Sequence, residues 1–442
     1  MEKRENIMVE ASPIWGALAF LVMLLLTALS VPIAASMGFV GLVLVILFYG
    51  DFSSLQFVAA NSWGNVALYD MSVFPLFIFM GNLISKSDLG RDAFDGINRL
   101  MGRTRGGLAM VSTMTCALFG SVCGSSASTI VAIGGVALPQ MKRYGYSNML
   151  RTGAVSTSGC IANLIPPSMA AVLFSVVTEV SLGKLFIAGI IPGLILTFLI
   201  LGTIYIWALV RPEDAPRSNE TFTLKEKLEG LKAPLPILMI FLFLMVGIYQ
   251  GFFSPAEGAG MGVFFTIVMM VVLGKFTWGR FYDALRDTIK MTSMIFAILM
   301  AAVMFSSTIA LSQLPQFIAD WSLETVESPL AILYLVILIF IIAGCILENF
   351  GMVMMLVPLF YPVITQAGYD GVFFGVIIIM MMEMSMLTPP IGNNIYVTSY
   401  VDGEATYMDV TIGTIPFYIA VMGLTVLIMH FPMIAMWLPS TM

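Results

Sequence analysis

The sequence predicts an all-α polytopic membrane protein. It is built from two inverted repeats, each with a re-entrant helical hairpin and a transmembrane helix broken at a Pro-Pro pair. Three observations point there: apolar stretches of spanning length from end to end, clustered positive charge, and self-similarity at a fixed offset of 223 residues. The chain has 442 residues, 59% hydrophobic and 10% charged, whereas an ordinary soluble domain has about 25% charged.

Spanning segments are expected near 14–31, 32–49, 69–86, 184–209, 234–252, 254–274, 291–311 and 412–431. The stretch 51–68 is more polar and reads as an interfacial helix or a loop. Seventeen of the twenty Lys and Arg residues lie in 86–105, 142–151, 211–232 and 275–290. Positive residues stay on the cytoplasmic side, so all four stretches are expected there. The net charge of −6 carries less weight than this distribution.

Between Arg105 and Lys142, residues Gly106–Met141 are uncharged. Two full crossings would want about 40 residues and one about 20, while this segment has 36 and must enter and leave by one face. A re-entrant hairpin over 106–141 fits, with its turn at Gly120–Ser126 inside FGSVCGSSASTIVA. Non-helical backbone survives at that depth only when buried in protein or lining a watery cavity. Close packing through small residues is the plainer reading of the same glycines and serines.

The 223-residue offset relates Pro139 to Pro362, Gly145-Tyr146 to Gly368-Tyr369 and Pro166-Pro167 to Pro389-Pro390. A fixed offset with matching segment boundaries marks an internal repeat. It divides the chain into a tail (1–13), a first repeat (14–209), a cytoplasmic linker (210–233) and a second repeat (234–442). The second hairpin falls at 329–365 with its turn around Gly344–Gly351, and the broken helices fall at 147–178 and 371–400. Glu324 and Glu327 lie upstream of the second hairpin, and no Lys or Arg follows Lys290, so that hairpin opens to the opposite face. This scheme places 401–411 in the cytoplasm although it carries acids and no base.

Inverted repeats with helices broken at the midplane mark secondary transporters. Proline removes a backbone donor, so a Pro-Pro pair frees carbonyls and splits a helix. Half-helix N-termini attract anions and unwound carbonyls attract cations. In the first repeat Ser121, Gly124, Ser125, Ser126 and Ser128 at the turn face Thr157, Ser158, Gly159 and Asn163 at the break. In the second, Glu348, Asn349 and Gly351 face Thr388, Gly392, Asn393 and Asn394. Such oxygen-rich, weakly charged groups suit a monovalent cation better than zinc or a transition metal, and also suit a hydrophilic substrate. Glu348 and Glu383 are the intramembrane acids of the second half and are functional candidates by default. Glu383 reads equally as a scaffold contact or the neighbour of a polar group on another chain.

Other chemistries find little support. Cys116, Cys123, Cys160 and Cys345 match no metal or disulfide pattern. The lone histidine, His430, ends the last apolar segment, and no basic patch with interleaved aromatics suggests nucleic acid.

Four motifs together resemble the large membrane subunit of the tripartite ATP-independent periplasmic (TRAP) transporters, within the ion-transporter superfamily. They are GSSASTIVAIGG followed by LPQMKRYGY (124–146), IPPS (165–168), LFIAGIIPG (185–193) and LTPPIG (387–392). The resemblance covers essentially the whole chain. It implies Na⁺-driven uptake of a small organic anion, often a carboxylate, across the bacterial inner membrane, with no organic cofactor and no catalysis. It also implies a periplasmic substrate-binding (P) protein and a small four-helix membrane (Q) subunit as partners. The expected motion is that of an elevator, a hairpin-bearing transport domain sliding against a static scaffold. Substrate contacts then fall to Ser121, Ser125, Thr157, Asn163, Thr388 and Asn394. Na⁺ contacts fall to Gly124, Ser126, Ser128, Ser158, Gly159, Glu348, Asn349, Gly351, Gly392 and Asn393. The chain departs from the family pattern at Glu348, where aspartate is common, at Asn163, and at Asn393-Asn394. These departures bear on substrate identity: a carboxylate, a sulfonate or a zwitterion. A stand-alone Na⁺- or H⁺-coupled carboxylate carrier, a channel and an intramembrane enzyme are the other readings. With no paired catalytic constellation, the enzyme is the weakest.

Overall fold

The computed structural model describes residues 12–49, 53–101, 104–217, 222–326 and 328–442. The tail to residue 11, Arg103, linker residues 218–221 and Glu327 lie outside them. Every regular element among the described residues is helical. The first half contains α1 (Pro13–Ala28), α2 (Ile33–Tyr49), α3 (Ser53–Val66), α4 (Val73–Lys86) and α5 (Leu89–Met101). It continues with α6 (Gly107–Cys123), α7 (Ser126–Thr129), a π-helical turn (Ile130–Gly134), α8 (Gly135–Arg143), α9 (Asn148–Leu164), α10 (Met169–Thr178) and α11 (Leu182–Val210). The short α12 (Leu224–Gly230) precedes α13 (Leu235–Tyr249), α14 (Pro255–Val272), α15 (Trp278–Leu311) and α16 (Leu314–Thr325). Then come α17 (Pro329–Gly344), α18 (Asn349–Gln366), α19 (Gly371–Met386), α20 (Asn393–Asp402), α21 (Tyr407–His430) and α22 (Met433–Met436).

Among the described residues six helical stretches are long and apolar enough to cross a membrane. The pair α9–α10, bent by 43° at its break, makes a seventh if counted as one span. Local chemistry explains where the helices begin. Thr223 with Glu226, Ser254 with Glu257, and Thr406 with Asp409 form reciprocal capping boxes at α12, α14 and α21, each satisfying two orphan amides. Of the polar stretch 51–68, Ser53–Val66 form α3, while residues 51 and 52 lie outside the described residues. Helix α15 is 34 residues long and starts at Trp278, well before the apolar run at 291. Hydropathy sees only the lipid-facing part. The polar first turns are held by the Thr277 cap, by Lys86 Nζ to Asp287 Oδ2 at 3.0 Å and by the Arg280–Asp88 ion pair.

All four basic stretches meet on one face. Asp88 and Asp92 pair with Arg280 and Lys275, joining 86–105 to 275–290. A Cβ at Gly96 would lie 2.5 Å from the Gly230 carbonyl oxygen, so α5 and α12 cross in backbone contact. The Ser147 amide donates to the Asp214 carbonyl at 3.2 Å, joining 142–151 to 211–232. The acids of 401–411 find their bases on that face too. Lys142 Nζ lies 2.5 Å from Glu404 Oε1, and Arg151 holds Asp402 through Nε–Oδ1 at 2.7 Å and Nη2–Oδ2 at 2.9 Å.

Two packed groups result, each drawing helices from both halves. One contains α2, α3, α4, α14 and α15; the other contains α6, α9, α10, α11, α18, α19, α20 and α21. They touch through α4 against α6 and α15 against α18. The segment from α6 to α8 belongs to the second group and begins and ends at the basic face, where the Tyr146 hydroxyl accepts from the Leu108 amide at 3.4 Å.

Candidate functional site

The first break is built where α6 stops. Gly124 closes that helix with φ of +64°, and a Cβ there would lie 2.5 Å from the Pro167 carbonyl oxygen. Only glycine combines that conformation with that approach. The Gly124 carbonyl accepts from the Met169 amide at 3.3 Å, tying the α6–α7 turn to the α9–α10 break. Ser125 caps α7, its hydroxyl accepting from the Ser128 amide at 3.4 Å. Ser125 and Ser128 both line a small crevice facing Gly81 and Asn82 of α4 and Met291 of α15. Asn82 in turn donates to Thr288 at 3.0 Å.

The centre of the site is a triad drawn from both halves. Glu383 on α19 is fully buried. Its Oε1 accepts from Asn163 Nδ2 at 2.5 Å and its Oε2 from Ser126 Oγ at 3.1 Å. Asn163 Nδ2 also donates to Ser126 Oγ at 3.0 Å, closing a triangle. Beside it, the Cys160 thiol lies 3.7 Å from the Glu383 carbonyl oxygen, and Asn394 Nδ2 donates to Cys160 Sγ at 3.4 Å. Three buried oxygens near this seam, Ser156 Oγ, Thr157 Oγ1 and Asn394 Oδ1, have no partner among the described residues. Glu383 was legible only as an intramembrane acid; its partners, Ser126 and Asn163, lie 257 and 220 residues away.

The second break opens a larger space. A cavity of about 350 Å³ is lined by Glu348, Asn349, Ser385 and Asn393, with Pro390, Ile391 and Tyr396 opposite. Glu348 is exposed to it, whereas Asn349 is buried with its Nδ2 unpartnered. Ser385 Oγ donates to the Gly344 carbonyl at 2.9 Å, so the end of α19 is fastened to the end of α17.

The remaining sequence candidates have other neighbours. Ser121 donates to the Leu118 carbonyl of its own helix at 2.7 Å. Ser158 shares a 2.8 Å hydrogen bond with Thr113, and Gly159 admits Ile130, whose Cγ1 would lie 2.5 Å from a Cβ there. Gly351 faces Ile33 of α2. Thr388 donates to the Met384 carbonyl at 2.6 Å, and Gly392 sits at the N-terminus of α20 against Ile395. Asn394 points at α9, away from the larger cavity.

Comparison with known proteins gives this arrangement its context. Residues 20–434 match the family model of the tripartite ATP-independent periplasmic transporter, DctM component. The chain belongs to that family. It is 32% identical over 407 residues to the C4-dicarboxylate TRAP transporter large permease protein DctM of Pseudomonas aeruginosa, covering 92% of this chain and 94% of that one. It is 29% identical over 427 residues to the ectoine/5-hydroxyectoine TRAP transporter large permease protein UehC of Ruegeria pomeroyi, covering 96% and 98%. The crystal structure of the Alcanivorax borkumensis YdaH transporter aligns with a TM-score of 0.64 over 94% of this chain and 98% of that one. At 14% identity, that likeness is one of fold. The TRAP subunit described here is therefore a multi-pass protein of the inner membrane.

Around the second break the cavity offers a carboxylate, two side-chain amides and a hydroxyl, beside the Met386 thioether; oxygen donors of this kind suit hard cations.

Proposed function

We propose that this TRAP subunit is a Na⁺-coupled secondary carrier that brings a small organic anion across the inner membrane. It is not an enzyme. A periplasmic binding protein hands the substrate over, and a small four-helix subunit sits beside the carrier. The observation that carries the reading is the polar seam between the halves, where Ser126 and Asn163 of the first half bond Glu383 of the second. A carrier needs a site that both halves can uncover in turn, and a site drawn from both satisfies that need.

Three further features support it. Helices α10, α18 and α20 all begin at the breaks, which turns partial positive charge toward an anionic cargo. Glu348 and Asn393 supply oxygens for the coupling cation at the 350 Å³ cavity. The 223-residue offset pairs Cys160 with Glu383, and those two residues touch. A residue in contact with its own counterpart lies on the axis relating two repeats, as an inverted-repeat carrier would have it. The two packed groups supply the bodies of an elevator: α2, α3, α4, α14 and α15 as scaffold, and the helices bearing both breaks as the moving part. The relatives' names span a dicarboxylate and a zwitterion, so the substrate is a small polar acid or zwitterion.

Uptake in proteoliposomes tests this. A C4-dicarboxylate and ectoine, with the partner subunit and binding protein supplied, are offered under an inward Na⁺ gradient or an equal K⁺ gradient. Accumulation of a substrate with Na⁺ and not with K⁺ is expected. Accumulation indifferent to Na⁺ and driven by a proton gradient would overturn Na⁺ coupling.

A further inference from the structure

We propose that Glu383 is a positioning residue. Its carboxyl group straps the α6–α7 turn to the end of α9, and it does so through hydrogen bonds and not through its charge. The inference rests on the reading of Ser126 and Asn163 as part of the transport site. Ser126 is the first residue after the turn, Asn163 stands one residue before the end of α9, and Glu383 comes from the far half of the chain. The three side chains close on one another at 2.5, 3.0 and 3.1 Å.

Among the described residues no ion pair includes Glu383, and the one titratable side chain in hydrogen-bond contact with the residue is the Cys160 thiol, at its backbone carbonyl. A buried donor that loses its acceptor keeps its full desolvation cost, so the carboxyl holds both partners firmly in place. The arrangement is one-sided. The offset places Cys160 opposite Glu383 and Asn349 opposite Ser126, and Asn349 Nδ2 has no partner. At this pair of positions the first turn is strapped and Asn349 is not; the second turn is held instead at Gly344, by Ser385.

A glutamine separates hydrogen bonding from charge. Its amide oxygen accepts from Asn163, and its amide nitrogen donates to the second lone pair of Ser126 Oγ, beside the bond from Asn163, so both ties are kept although the serine O–H gives up its acceptor. Alanine abolishes both bonds. A proton carrier, or a role that needs the negative charge, would be lost in both variants.

The test uses the purified full-length protein in lipid nanodiscs. Hydrogen–deuterium exchange is followed on peptides covering 120–135 and 156–168, and melting temperature is compared in NaCl and KCl. Glu383→Ala is expected to speed exchange at the turn by at least about tenfold, the scale of a single lost buried hydrogen bond where two are lost, and to erase the Na⁺-specific melting shift. Glu383→Gln is expected to keep wild-type exchange and retain the shift. Glu383→Gln behaving like Glu383→Ala would overturn the proposal, as would unchanged exchange in Glu383→Ala. Should the alanine variant fail to fold, Ser126→Ala decides: faster exchange at the turn upholds the strap, and wild-type exchange overturns it. A wild-type protein that melts alike in both salts would count against Na⁺ coupling, while exchange that still follows the variant series would uphold the strap.

Discussion

Arg151 and Asp402 form a bidentate pair with side chains only 4% and 1% exposed. Arg151 also donates to the Tyr146 carbonyl at 3.3 Å, so the guanidinium spans the start of α9, the turn before it and the end of α20. Taking one partner from a buried pair strands the other charge, which costs about 3–5 kcal/mol. Arg151→Met should therefore lower stability by that order in a denaturant or thermal melt, and so should Asp402→Asn, because the asparagine turns an NH2 toward N–H donors and leaves the guanidinium charge unpaired. The double variant Arg151→Met/Asp402→Leu should recover much of the loss. Equal stability of Arg151→Met and wild type would show that the pair contributes nothing. Surface pairs such as Lys86–Asp287, with both side chains 41% exposed, should shift the melt little, within about 1 kcal/mol.

Among the elements, α9 and α21 cross backbone against backbone. A Cβ at Gly153 would lie 2.2 Å from the Gly413 carbonyl oxygen, and one at Gly413 would lie 2.1 Å from the Met149 carbonyl oxygen. Backbone against backbone leaves nothing to rotate aside, so small residues here set the distance between the two helices. Gly153→Ala and Gly413→Ala should each destabilise by at least about 1–3 kcal/mol, the range for overpacking. Gly64→Ala, where nothing lies within 4 Å, is the control that should leave the melt unchanged. Elements of this kind were legible to different degrees. Long apolar runs announced α2, α11, α13, α14 and α21 because hydropathy reads lipid exposure directly. The start of α15 escaped it, since Arg280, Asp283, Arg286 and Asp287 mask a helix continuous with the span. The tight glycines of α9 and α21 carry no periodic signal, and only the folded crossing gives them meaning.

At the scale of the whole molecule, the acids of 401–411 looked misplaced beside a positive-inside rule and are answered by Lys142 and Arg151 from the other half. The separation of 251 residues between Arg151 and Asp402 is what hid the match. The same distance in sequence hid the partners of Glu383, although Ser126 and Asn163 stood out individually as polar residues in apolar surroundings. Composition and motifs thus reach the class of protein and many polar positions, and long-range contact supplies the pairing between halves. That pairing underlies the central claim, that one polar seam is uncovered to each side in turn. Cysteine labelling from each side of the membrane tests it most directly. Ser128→Cys, at the crevice between the first turn and α4 and α15, is read in right-side-out and inside-out vesicles against wild-type background labelling with a membrane-impermeant thiol reagent. The account predicts that the site labels from one side in Na⁺ alone and from the other once binding protein and substrate are supplied. Labelling from a single side in every condition, or from both sides at once, would contradict it.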